Sequence, residues 1–391
     1  MVSKILYICS NQKTKPMQNI LKITLLPILL FSLFCCASNT ASINGKSPIA
    51  PVKGVWVTNV ASKALDSKEN IIETVALCKK SGITDIYVVV WNRGTTLYPS
   101  KIMKDLFGKP IMERFGDRDP LQEMIEEGHK ENIKVHAWFE FGFASSYGEN
   151  GGAILKKFPN WKAIDNKGNL VTKNGFEWMN AMDPEVQNFV KSLIIEVVKK
   201  YNVDGIQGDD RLPAMPSLGG YDPYTVALYK KEHNGNLPPD DYKNADWLTW
   251  RADKLTVFLG GLYKELKAIK PKLIVSMAPS IHPWAKEEYL QDWPTWLDKG
   301  YCDYVIPQVY RKTIESYTST LEEQVKFLKK DQKDKFFSGV LLQVNGVNPK
   351  PDFLKGMIDV NRKLGVKGES FFFYEGLKAF PEYFSAEYTK K

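Results

Sequence analysis

The segment Val203-Asp204-Gly205-Ile206-Gln207-Gly208-Asp209-Asp210-Arg211 opens as a short β-prone run and closes on two acids and an arginine. It follows an amphipathic stretch over 184–200, entered through Asp183-Pro184, a capping residue with proline at the first helical position. The same alternation extends in both directions. β-rich apolar runs lie at 52–59, 85–92, 134–141, 203–210, 273–280, 303–311, 336–344 and 369–374. Amphipathic stretches lie between them at 67–80, 120–131, 184–200, 247–270, 289–299, 319–330 and 351–364, and Gly82, Gly300 and Gly365 mark helix ends. Strands that alternate with helices pair in parallel through right-handed crossovers. Eight of them predict a closed α/β fold, a (β/α)8 TIM barrel, over a doubly wound sheet, because no GxGxxG or GxxxxGK[ST] phosphate loop is present. No Pro/Ser-rich linker interrupts the pattern, so one domain over 51–391 is expected. Two βα connections, 142–182 and 212–245, are long, and long connections on the catalytic face of a barrel are usually functional.

The N-terminal segment is of another kind. Its first 35 residues hold Lys4, Lys13, Lys15 and Lys22 and no acid, followed by an apolar stretch over 23–34 and Cys35-Cys36-Ala37-Ser38. This describes an export signal (residues 1–36), too short for a comfortable membrane span. Leu33-Phe34-Cys35-Cys36 is similar to a bacterial lipoprotein processing site with Cys36 as the lipidated residue; the alternative is an ordinary secretory signal cut near Ala41, and Met17 is an alternative start. Residues 37–50 read as a flexible tether. The expectation is therefore an exported chain, lipid-anchored in the envelope through Cys36.

Charge agrees with that division. The whole chain carries 53 Lys+Arg against 45 Asp+Glu, +8; without the four lysines of the signal the net is +4, and no basic block remains to track nucleic acid. With 43% apolar residues a disordered chain is excluded. Cys78 and Cys302 stand on separate elements without CxxC or Cys/His spacing, so neither a zinc site nor a disulfide framework is indicated. No metal and no cofactor are expected, and a monomer is.

Function is sought at the strand tips. Strand one ends at Asn59, strand two in Trp91-Asn92-Arg93, strand three reads His136-Ala137-Trp138-Phe139-Glu140, strand four ends Gln207-Gly208-Asp209-Asp210-Arg211, strand six ends Gln308-Val309-Tyr310 and strand eight ends Tyr374-Glu375. Alternation puts Gln207 with Asp209, and His136 and Trp138 with Glu140. Acids at adjacent tips beside donors such as Arg93, Gln308 and Tyr310 suit glycosidic cleavage, in which one carboxyl protonates the leaving oxygen and another acts as nucleophile or base. Asp209, Asp210 and Glu140 are the catalytic candidates. Asn59, Trp91, Asn92, Arg93, His136, Trp138, Gln207, Arg211, Tyr221, Asp222, Gln308, Tyr310 and Glu375 are the binding candidates. Competing readings are a helix cap or arginine partner for the Asp pair, a salt bridge to Arg93 or Arg211 for Glu140, a cap for Glu375 and a satisfied core histidine for His136. Trp91, Trp161, Trp178, Trp284 and Trp293 fall at tips or in connections where a ring can stack on a sugar face, whereas Trp247, Trp250 and Trp296 fit core packing.

In order along the chain, Gly54-Val55-Trp56-Val57-Thr58, Tyr98-Pro99-Ser100, Val135-His136-Ala137-Trp138-Phe139-Glu140, Asp204-Gly205-Ile206-Gln207-Gly208-Asp209-Asp210, Gly220-Tyr221-Asp222, Trp250-Arg251, Gln291-Asp292-Trp293 and Gln308-Val309-Tyr310 together resemble glycosyl-hydrolase-like family 10 of bacterial envelope proteins. The resemblance implies a (β/α)8 glycoside hydrolase with the acidic pair after strand four near the reaction centre. One such member is a cell-division-associated enzyme that cuts peptide-free peptidoglycan strands. Two departures stand out: Gly208 replaces a bulky apolar residue, which would loosen the strand tip, and Met179-Asn180-Ala181-Met182-Asp183 replaces a Leu-Asn-Pro pattern. Two other functions compete with envelope-glycan hydrolysis. A silent glycan-binding lipoprotein would be favoured by carboxyls spread beyond about 10 Å. Hydrolysis of a scavenged polysaccharide would use the same residues in a different cleft.

Overall fold

A computed structural model describes residues 50–389. The export signal, the lipidation site at Cys36 and the tether up to residue 49 lie outside the described residues. Eight strands form one parallel sheet: β1 (Lys53–Val57), β2 (Asp85–Val89), β3 (Lys134–Phe139), β4 (Gly205–Gly208), β5 (Ile274–Met277), β6 (Tyr304–Val305), β7 (Ser338–Leu341) and β8 (Glu369–Phe372). Their spatial order is β6-β5-β4-β3-β2-β1-β8-β7, so each strand neighbours its sequence neighbour. Parallel bridges Val305–Phe336 and Gln308–Gly339 join β6 to β7 and close the ring. This is the expected barrel.

Helices α1 (Lys68–Lys80), α2 (Pro120–Lys130), α3 (Pro184–Lys200), α4 (Ala245–Ile269), α5 (Trp293–Lys299), α6 (Ile314–Lys326) and α7 (Pro351–Lys363) form the outer ring. Asp119 and Asp183 cap α2 and α3 by accepting from Gln122 N (3.2 Å) and Glu185 N (2.8 Å). The helix expected over 289–299 is broken. Trp284–Tyr289 forms its own short helix, Leu290 turns left-handed, and Pro294 in the first turn restarts the chain as α5. After β8 the eighth helix is replaced by a 3₁₀ turn, Tyr374–Ala379, and one π-helical stretch, Tyr383–Tyr388.

The strand interiors are more polar than their apolar look suggests. Gly54, Gly205 and Ser370 leave room at the bottom of the barrel. There His136 Nε2 lies 2.9 Å from Asp85 Oδ1, and the hydroxyls of Tyr87 and Tyr304 meet at 3.0 Å. One layer up, Trp56 Nε1 donates to Gln207 Oε1 at 2.6 Å and Gln207 Nε2 to Ser276 Oγ at 3.2 Å. All these side chains are buried, and pairing them spares the desolvation cost an orphaned polar group would carry, about 1–3 kcal/mol each. Cys78 and Cys302 are buried free thiols, pushed up by burial.

Both long connections fold over the C-terminal face. The connection after β3 builds a small antiparallel sheet from Ala144–Tyr147, Thr172–Lys173 and Phe176–Trp178. The one after β4 carries the helix Pro223–Glu232 and is clamped by Arg251 of α4. That guanidinium is fully buried and donates to the carbonyls of Ser217, Gly219 (2.6 Å) and Tyr242 (2.5 Å).

Candidate active site

Alternation along β3 and β4 lifts Glu140 and Asp209 to the rim on the layer above Trp138 and Gln207. Arg211 draws the acids together. Its Nη2 donates to Asp209 Oδ2 at 2.9 Å and lies 3.6 Å from Glu140 Oε1, while its Nε donates to the Glu140 carbonyl at 2.8 Å. Nη1 sits 2.8 Å from Asp210 Oδ1, out of line for a hydrogen bond. Asp209 Oδ2 and Glu140 Oε1 thus share one nitrogen, which caps their separation at the sum of the two distances, about 6.5 Å. Gln308 Nε2 donates to Asp209 Oδ1 at 2.7 Å, and Asn92 Nδ2 to Glu140 Oε2 at 2.5 Å. Accessibility rises outward: the side chains of Asp209, Glu140 and Asp210 are 4%, 15% and 25% exposed.

Two glycines permit this geometry. A Cβ on Gly142 would fall 2.0 Å from the Arg211 carbonyl, which accepts from Phe143 N at 2.9 Å and docks the β3 connection on the site. A Cβ on Gly208 would fall 2.4 Å from the Leu212 carbonyl and 2.6 Å from Met277 Sδ. The expected loosening at Gly208 is therefore not found; the missing side chain lets the chain fold back tightly behind Asp209. Gln291, buried between the two short helices, donates to the carbonyls of Asp209 (3.0 Å) and Pro213 (3.3 Å) and fixes the same turn. Sequence marked Gln291 only as part of the resembling segment Gln291-Asp292-Trp293; nothing local to residue 291 points to residue 209.

Electrostatics follow from three carboxylates around one guanidinium. Burial, then the neighbouring Asp210 and Glu140, push Asp209 well above the usual carboxylate range, and Arg211 offsets this only in part. Burial also raises Glu140, against the pull of Arg211, Asn92 and Arg93. Such a cluster retains a proton where isolated acids are ionised. Burial first, and then Asp209 and Asp210, raise the Tyr310 phenol, which stays a neutral hydroxyl.

The other candidates divide. Asn92, Arg211, Gln308 and Tyr310 join the acids. Arg93 lies exposed beside them, its guanidinium 5.6 Å from the centre of the Tyr147 ring. Asn59 stands at the tip of β1, with Nδ2 3.7 Å from Met112 Sδ and Oδ1 unpaired. Trp138 and Gln207 lie one layer below, Trp138 packed 6.4 Å from Trp56 with its Nε1 unpaired. His136 is not at the rim: it belongs to the barrel floor with Asp85. Tyr221 and Asp222 are structural, Tyr221 donating to Pro239 O (2.8 Å) and Asp222 capping the helix Pro223–Glu232 through Thr225 N (2.9 Å). Glu375 is taken up by Ser62 Oγ (2.8 Å) and Lys378 Nζ (2.7 Å). Of the tryptophans expected to meet a sugar, Trp91, Trp161, Trp178 and Trp293 are buried; Trp91 packs on Phe189 and donates to Gly142 O at 3.0 Å. Trp284, 43% exposed, keeps an open ring, as does Tyr147 at 45%, which sequence reading passed over.

Fold and site together define a (β/α)8 barrel with an acidic cluster across the tips of β3 and β4. The chain belongs to the glycosyl hydrolase-like 10 family, whose model matches residues 51–345. It is 28% identical over 286 residues to glycosyl hydrolase DigH of Escherichia coli K12, covering 66% of this chain and 62% of the relative. It is 25% identical over 296 residues to glycosyl hydrolase YngK of Bacillus subtilis, covering 66% and 54%. The matched part thus spans about six-tenths or less of either relative. Among solved structures, the glycoside hydrolase domain of PgaB (BpsB) from Bordetella bronchiseptica superposes with a TM-score of 0.63 at 12% identity, over 86% of this chain and all of that one. Alpha-L-fucosidase isoenzyme 2 of Paenibacillus thiaminolyticus gives 0.62 at 17% identity, over 87% and 49%. At such identities these likenesses speak to fold alone.

Proposed function

We propose that this protein is a glycoside hydrolase of the cell envelope, exported and lipid-anchored through Cys36, that cleaves peptide-free peptidoglycan strands. The observation that carries the hydrolytic reading is the cap of about 6.5 Å on the separation of the Asp209 and Glu140 carboxyl oxygens across Arg211. Hydrolytic pairs need roughly 5–9.5 Å, and a merely binding cleft has no reason to concentrate like charges this tightly. Family membership and relatives named glycosyl hydrolases support the same reading. The envelope substrate rests on the export segment and on the family resemblance.

In this account the retained proton is shared by Asp209 and Glu140. Glu140, the more open of these two, delivers it to the glycosidic oxygen as the bond to the anomeric carbon breaks. Asp209, left anionic and held by Arg211 and Gln308, attacks that carbon or takes a proton from the incoming water. A bound under about 6.5 Å favours the first, a covalent intermediate and retained configuration. Asp210 lines the opening, and the exposed rings of Trp284 and Tyr147 offer faces for sugars on the same end of the barrel. Incubation with amidase-treated peptidoglycan tests the proposal: soluble glycan fragments are expected from the wild type and not from Asp209→Asn. A substrate panel that yields fragments only from a storage or host polysaccharide would shift the assignment to scavenging.

A further inference from the structure

The β2 tip ends in a small hairpin, Trp91–Asn92 against Thr95–Thr96, whose two-residue turn is Arg93-Gly94. Both turn residues have positive φ, 48° and 68°. Gly94 suits that turn, but arginine there is unusual: such turns favour Asn, Asp or Gly at the first position, and a bulky side chain in the left-handed region is strained. The turn holds Arg93 at a defined point. Its neighbour Asn92 is bonded to Glu140, and the Arg93 charge acts on the Glu140 carboxyl. On the other side a continuous stack leads outward from the acid cluster. The Arg211 guanidinium lies 4.6 Å from the Phe176 ring centre, Phe176 meets Tyr147 edge-on at 5.0 Å, and Arg93 lies over Tyr147. Among the described residues Arg93 makes no ion pair, whereas Arg211, the other cation on this stack, contacts three carboxylates.

We infer that Arg93 is the subsite for a carboxylate borne by the glycan, on a sugar next to the cleaved bond, with the sugar ring resting on Tyr147. This deepens the hydrolase proposal and rests on it. A planar guanidinium fixed over an aromatic face, with its fork unoccupied, matches a carboxylate in two parallel hydrogen bonds. In a peptidoglycan strand that carboxylate is the lactyl group, which is anionic once the stem peptide has been removed and a neutral amide while it is attached. Arg93 would thus read the removal of the peptide directly.

The test compares amidase-treated strands with the same strands after their lactyl carboxylates are converted to methylamides, using wild type, Arg93→Asn and Arg93→Lys. Asparagine tolerates the left-handed turn, so the fold is kept while the charge is lost. Arg93→Asn is expected to lose about tenfold in kcat/KM on carboxylate strands, through KM, with little change on methylamide strands, and Arg93→Lys to recover only part. Equal loss on both strands would overturn the inference in favour of an effect through Glu140, and no loss on either would overturn it outright. If wild type cuts neither strand, the hydrolase proposal fails on its own, and binding of the two strands decides. A preference for carboxylate strands that vanishes in Arg93→Asn sustains the subsite, and equal binding refutes it.

Discussion

Gln308 Nε2 donates to Asp209 Oδ1 at 2.7 Å and to the Ala278 carbonyl at 3.1 Å, so the tip of β6 reaches across the barrel mouth to orient the deepest acid of β4. With Arg211 on the other oxygen, Asp209 has both oxygens occupied by donors before any substrate arrives. Gln308→Leu removes one of them and is expected to lower kcat by about tenfold with KM nearly unchanged, measured on glycan strands, because the lost bond leaves the attacking oxygen misoriented without removing a contact to substrate. A change confined to KM would place Gln308 on the substrate instead.

Arg211 is the only guanidinium in direct contact with all three acids among the described residues. Arg211→Met leaves them uncompensated and is expected to cost about 3–5 kcal/mol in a denaturant titration. Adding Asp209→Asn and Asp210→Asn should return a large part of that loss. A destabilisation that the triple variant does not relieve would point to lost packing on the rings of Phe141 and Phe176, whose centres lie 5.6 and 4.6 Å from the Arg211 guanidinium, not lost charge.

The raised Asp209 gives stability a definite pH sign. A carboxyl whose folded pKa lies above its unfolded value holds its proton more tightly in the native state, so the folded state is favoured at low pH and loses stability as pH rises from the unfolded value, about 4, through the folded one. Asp209→Asn removes this term. It should melt on the order of 2 °C above wild type at pH 7, with the gap closing toward pH 4. A gap that widens toward acid would mean that Asp209 is stabilised as an anion.

Glu140 as proton donor makes a separable prediction. Glu140→Gln should lose roughly 10²–10⁴ in rate on glycan strands yet retain most activity on an aryl glycoside with an acidic leaving group that needs no protonation. The wild-type alkaline limb on glycan strands, set by the raised Glu140, should disappear with the activated substrate. Equal loss on both substrates would move the donor role to Asp210.

The barrel was readable because parallel strands, helix caps and glycine stops are written locally: 203–210 and 184–200 needed no partner to be recognised. Asp209, Asp210, Glu140 and Gln308 were readable for the same reason, as polar residues at strand ends. What sequence missed depends on distance in the chain. Gln291 reaches residue 209 only because a helix breaks at Leu290, and Tyr147 meets the site only through a hairpin that folds over the rim. Four of the five loop tryptophans looked like sugar platforms because position in a loop says nothing of depth. His136 followed the right alternation but sits two layers below the acids, on the barrel floor, where Asp85 is already its partner.

The most direct measurement is a comparison of soluble fragments released from amidase-treated peptidoglycan by wild type and by Asp209→Asn, with the Asn variant shown to be folded by its melt. Fragments are expected from the wild type, with release lowered at least about a thousandfold by the single substitution. Undiminished release by Asp209→Asn, or none by a folded wild type, would contradict it.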